Sequence, residues 1–148
     1  MILKKNNNQE IVLISILLVD DDEIDQQAFK RYLKQLNLLN ELKIAENGQE
    51  ALDYVMGLNN RRIQSPYIIL LDLNMPKMNG LEFLEELRNY PEYNQIPVVI
   101  LTSSTNEEDI CDSYEKHISG YISKPVETSE FMRKMTTFGS YWAMCNLC

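Results

Sequence analysis

Cysteine is scarce in this chain, with three in 148 residues, too few for a disulfide framework. Cys111 stands alone. Cys145 and Cys148 form a CxxC pair with no second ligand pair and no helix-opening context, so we read them as structural or incidental. Long apolar runs are also lacking: the longest, 11–19, is interrupted by Ser15 and falls short of a membrane span. The opening MILKKNNNQE has lysines but no signal-peptide core or cleavage site behind them, so a cytoplasmic protein with no membrane association is expected. Positive charge is short too. Lys and Arg total 14 against 22 Asp and Glu, a formal net charge of -8, which argues against a nucleic-acid-binding face.

What is present is enough apolar residue, 45%, for one core in one domain. Short apolar runs alternate with amphipathic segments. ISILLV (14–19), LKIA (42–45), YIILL (67–71), IPVVIL (96–101) and GYIS (120–123) read as strands. After the first, Ile24, Ala28, Tyr32, Leu33 and Leu36 fall at helical spacing; after the second, the pairs Ala51/Leu52 and Val55/Met56 recur four apart. Leu81, Leu84 and Leu87 mark a third helix that stops before Pro91. Thr105 and Glu108 have capping-box spacing for a fourth, and a stripe from Phe131 through Met135, Phe138 and Trp142 to Cys145 marks a fifth. Strand–helix repeated five times implies an α/β fold with a parallel sheet covered on both faces.

The polar residues that follow these strands are the informative ones. IILLDLNMPKMNG (68–80) runs four apolar residues straight into an acid, Asp72, and a carboxylate at the edge of a core costs desolvation unless something compensates it. Asp20 and Asp21 follow the first strand, Thr102 the fourth and Lys124 the fifth. In an open parallel sheet these carboxyl ends share one edge, where ligands bind. Three converging carboxylates repel, and one ammonium is too little charge to hold them ionised. All the donors are oxygen, with no His or Cys nearby, which selects a hard divalent ion, Mg²⁺ above others. A metal and an ammonium beside a carboxylate are also what phosphoryl chemistry requires. Asp72 is thereby expected to be a nucleophile kept ionised by its neighbours.

These residues carry a family resemblance. LLVDDDE, LLDLNMPKMNG, VVILTSS and GYISKPV stand in order after the expected strands, and together they resemble the receiver domain of two-component response regulators over 14–138. The resemblance implies a doubly wound, flavodoxin-like sheet of order 2-1-3-4-5, with 1–13 and 139–148 as extensions. It implies that Asp72 accepts a phosphoryl group from a sensor histidine kinase or a phosphotransfer protein. Asp21 would ligate Mg²⁺, Asp20 would assist through water, and Asn74 would give its backbone carbonyl. Lys124 would pair with the phosphoryl oxygens through a cis Lys124–Pro125 segment. Thr102 would turn its hydroxyl onto the phosphoryl group with Tyr121 turning inward behind it, and Ser103 is small enough to leave access. Asn74 and Ser104 would tune the phosphoryl lifetime. The surface that switches, and that binds a downstream protein, would be the fourth helix, fifth strand and fifth helix, 106–138.

Other readings fit less well. A phosphohydrolase with an aspartyl nucleophile benefits from a general acid two residues on, where this chain has Asn74, and the loop lacks an inserted cap. We therefore expect a switch that catalyses only its own phosphorylation and dephosphorylation, not an enzyme with turnover. The intact acidic set argues against a scaffold indifferent to phosphorylation. His117, near the end of the fourth helix, is read as complementing the helix dipole, not as a ligand. With no output domain after the fold, the chain looks like the single-domain subclass that includes phytochrome-associated regulators. The stripe running on to Cys145 offers a homodimer surface, although Gly139 weakens that helix by about 1 kcal/mol relative to Ala.

Overall fold

Strands with no polar face must be covered on both sides, and the central strands here are. The computed structural model describes residues 3–5, 11–13, 15–34, 41–75, 77–102, 112, 115–124, 129, 130 and 133. Strands β1 (Leu3–Lys5) and β2 (Ile11–Leu13) form a small antiparallel pair. The sequence reading assigns no strands to this segment, because three residues are too few to show a period. The main sheet contains β3 (Ser15–Val19), β4 (Leu42–Ala45), β5 (Tyr67–Asp72), β6 (Val98–Thr102) and β7 (Gly120–Ser123). All four pairings are parallel, in the order β4-β3-β5-β6-β7. Counting only these five strands, that is the order 2-1-3-4-5.

Alternate residues of the strands feed two cores. Leu17, Val19, Ile69, Leu71, Val98 and Ile100 pack with residues of α2 (Gly48–Met56) and α3 (Gly80–Arg88). Ile16, Leu18, Ile68, Leu70, Val99, Leu101 and Ile122 pack with Phe29 and Leu33 of α1 (Glu23–Lys34). The buried stripe of α1 is Gln26, Phe29 and Leu33, and Ile24 is 79% exposed, which corrects the stripe read from the sequence. At roughly 100° per residue, Ile24 lies about 180° round the helix from Leu33. In α3, Phe83, Leu84 and Leu87 are buried while Leu81 is only half-buried. Strand β6 starts at Val98, two residues later than expected, behind Pro97, whose carbonyl accepts from the Ile69 amide.

The helix starts are set by side chains. Asp22 accepts from the Ile24 amide at 2.8 Å, Asn47 from Glu50 and Asn79 from Glu82, each at 2.9 Å. Arg88, at the end of α3, donates to the carbonyls of Tyr93, Ile96, Lys116 and His117. Burial lowers the pKa of its guanidinium. The carbonyls after the helical turn at Glu115 are thus met by Arg88. His117 itself sits exposed just beyond that turn with φ 60°. The capping box at Thr105, the stripe from Phe131 to Cys145 and the three cysteines lie outside the described residues. Among the described residues no helix is long and apolar enough to cross a membrane.

Two glycines let the loop after β5 fold back on itself. The Gly80 amide donates to the Leu73 carbonyl and the Gly48 amide to the Met78 carbonyl. A Cβ on Gly80 would collide with the Asp72 carbonyl oxygen and lie 2.7 Å from Leu73 Cα. Those are backbone atoms and cannot rotate away. Gly80→Ala is therefore expected to destabilise the protein by about 1 to 3 kcal/mol, read as a lower urea midpoint at unchanged slope. A variant with the wild-type midpoint contradicts the tight approach.

Candidate functional site

Parallel register decides which side chains meet. Val19 pairs with Leu71, so Asp20 follows level with Asp72 at the ends of adjacent strands. Asp72 pairs with Leu101, and Thr102 with Ser123, so Lys124 leaves the sheet at the same edge. The two acids at the strand ends are almost closed to solvent: Asp20 is 0% and Asp72 6% exposed, while Asp21 is exposed. One carboxylate oxygen from each of Asp20, Asp21 and Asp72 lies within 4.8 Å of the others.

The backbone and one lysine hold these acids. The Asp22 amide donates to Asp20 Oδ1 at 2.9 Å, and the Asn74 amide donates to Asp72 Oδ1 at 3.0 Å. Gln26 Nε2, on α1, donates to the Asp20 carbonyl at 2.7 Å. Lys124 Nζ lies 2.9 Å from Asp20 Oδ2, 2.7 Å from Asp25 Oδ2 and 3.3 Å from Asp72 Oδ2. Burial alone would depress the Lys124 ammonium. Its hydrogen bonds to Asp25 and Asp20 and the charges of Asp20 and Asp72 outweigh burial and push its pKa up, so the site always holds one fixed cation. That cation does not suffice for Asp20. Burial pushes its carboxyl up to about 6, with the Asp72 charge adding to the shift, against the pull of the Asp22 amide and of Lys124. A site whose deepest acid resists ionisation beside a lysine is short of positive charge. Oxygen-only donors at this spacing fit a divalent cation that keeps some of its waters.

The structure brings together Asp20, Asp21, Asp72 and Lys124 of the residues expected at the site. Asn74 is there through its backbone, with its side chain exposed. Thr102 ends β6 at the same edge. Its side chain, Ser103, Ser104 and the Lys124–Pro125 bond lie outside the described residues. Tyr121 stands on β7 opposite Ile100, with 38% of its surface exposed. Asp25 was missed. It stands in the first turn of α1, in an acid-rich run from Asp20 to Asp25 that by sequence alone reads as a solvated face.

A family model for the response regulator receiver domain matches residues 16–136. The chain belongs to that family. A receiver is the phosphoacceptor module of two-component signalling, supplied with its phosphoryl group by histidine kinases. Response regulator Rcp1 from Synechocystis is 35% identical over 80% of this chain and 81% of its own length. The crystal structure of the Mn²⁺-bound form of Rcp1 superimposes with a TM-score of 0.73 at 34% identity, covering 88% of this chain and 94% of that one. The phosphorylated cyanobacterial phytochrome response regulator RcpA gives the same TM-score at 32% identity and the same coverages.

For this receiver, the Asp20 carboxyl at about 6 against an ordinary 3.8 has a signed consequence. The raised value means that the stability present below pH 3.8 is lost as pH rises through about 6, by at most about 3 kcal/mol. With divalent ions chelated, Asp20→Asn should therefore melt above wild type at about pH 7.5, and the gap should narrow towards about pH 4. A variant melting at or below wild type at the higher pH contradicts the charge deficit.

Proposed function

We propose that Asp72 is the phosphoacceptor of this receiver. A carboxylate oxygen attacks the phosphorus of a phosphohistidine on a sensor kinase or phosphotransfer protein. The P–N bond breaks, its electron pair returns to the imidazole, and a mixed acyl phosphate forms on Asp72. Asp20, Asp21, Asp72 and the Asn74 backbone carbonyl would hold Mg²⁺. When bound, the ion offsets the carboxylate charge and stabilises the charge on the transferring oxygens. Lys124 pairs with the phosphoryl oxygens, and the Thr102 hydroxyl turns onto them with Tyr121 following inward. Asn74 and Ser104 set how long the acyl phosphate lasts. The chain accelerates its own phosphorylation and dephosphorylation and turns over no other substrate.

The observation that carries this reading is the convergence of Asp20, Asp21 and Lys124 on Asp72 at the end of a buried strand. The same edge explains the direction of signalling. A phosphoryl group adds charge beside Lys124 and Thr102, next to β7, and the segment 106–138 is biased through them. A downstream protein docked there responds by its differential affinity for the two states. We read the receiver domain as 14–138, flanked by extensions 1–13 and 139–148. We assign it to the cytoplasm, and to the stripe ending at Cys145 a role in homodimer contact.

Incubation with acetyl phosphate and Mg²⁺, followed by peptide mass spectrometry, tests the assignment. One phosphoryl group per chain on the peptide bearing Asp72, absent in Asp72→Asn and in chelator, is the expected result. Label on another residue, or continuous turnover of a phosphomonoester, overturns it.

A further inference from the structure

An ammonium has three N–H donors on a flexible stem, and where it rests is decided by which acceptors hold it most closely. In this site the closest acceptor of Lys124 is Asp25 Oδ2, at 2.7 Å; Asp20 Oδ2 follows at 2.9 Å. Asp72 Oδ2 is third, at 3.3 Å, beyond the usual length of a charge-assisted hydrogen bond. Asp25 takes no part in the three-acid cluster of Asp20, Asp21 and Asp72.

We infer that Asp25 is a positioning residue: it draws the Lys124 ammonium off Asp72, keeping the acceptor oxygen open while the cation stays beside it. The inference rests on the reading of Asp72 as the phosphoacceptor. A carboxylate oxygen tied into a short hydrogen bond with an ammonium is a poor nucleophile, because the electron pair that must reach phosphorus is already engaged. Lys124 nevertheless has to be near, since the incoming phosphoryl oxygens need its charge. A competing carboxylate that holds the same ammonium more closely than Asp72 does meets both demands.

The chain is built to hold Asp25 there. It lies in the first turn of α1, where the helix dipole favours a carboxylate. The helix is fixed against the sheet by Phe29 and Leu33, and to the site itself by Gln26 on the Asp20 carbonyl. The side chains of Lys124 and Asp25 are 12% and 31% exposed, so the pair is partly shielded from water. Without the Asp25 carboxylate, the ammonium retains Asp20 and Asp72 as acceptors and moves towards Asp72.

The test is the rate of acetyl phosphate labelling of Asp72 at saturating Mg²⁺, in a double-mutant cycle. Asp25→Asn should slow labelling about tenfold, as a misplaced catalytic group does. In a Lys124→Met background, Asp25→Asn should change the rate by less than about twofold, because there is no ammonium left to place. A merely structural role, or a general field effect of the lost charge, would act in both backgrounds. Asp25→Asn labelling as fast as wild type or faster, or slowing by the same factor in both backgrounds, overturns the inference. Wild type left unlabelled at Asp72 would overturn the phosphoacceptor reading instead.

Discussion

One ammonium among buried carboxylates is the constraint on which this site depends. Lys124 reaches Asp20, Asp25 and Asp72, which come from the end of β3, the first turn of α1 and the end of β5. Asp20 and Asp25 are near neighbours in the chain, but Asp72 and Lys124 are distant from them, and a parallel sheet in this order puts all four at one edge. The apolar strands supply the position, and their burial makes the acids costly. The cost is what gives the site its chemistry. Acids that could spread into solvent would hold a divalent ion weakly and would have no reason to favour a phosphoryl group beside it.

The backbone contributes as much as the side chains. Asp20 and Asp72 each accept the amide of the residue two positions on, an arrangement that turns the chain sharply just past each strand. Gly80 then allows the loop to return against Leu73, and Asn79 begins α3 at once. Asp72 is thus fixed from both sides, by β5 before it and by the closed loop after it. A nucleophile held in this way loses little freedom when it reacts.

Much of this was readable from the amino-acid order. The five strands are apolar runs bounded by polar residues, a pattern that physical burial imposes directly, and the acids stand where those runs stop. The parts that were not readable share a cause. The stripe of α1 was misread because Ile24 is apolar yet lies on the solvent side, while the buried position is taken by polar Gln26, which serves Asp20. Asp25 was missed because an acid-rich run such as the one from Asp20 to Asp25 is ordinarily a solvated face. The role of Arg88 depends on carbonyls from two loops, and nothing in local sequence signals which arginine will find them. The β1–β2 pair is too short to carry a period. Apart from the short β1–β2 pair, each miss turns on a tertiary contact that local sequence does not signal.

The most direct measurement is a crystal structure of the full chain grown with Mg²⁺ and beryllium fluoride, which mimics a bound phosphoryl group. The account predicts the fluoride complex on an Asp72 carboxylate oxygen. The ion should lie among Asp20, Asp21, Asp72 and the Asn74 carbonyl, and Lys124 should reach the fluorines. Beryllium fluoride attached elsewhere, or an ion bound away from those acids, would contradict it.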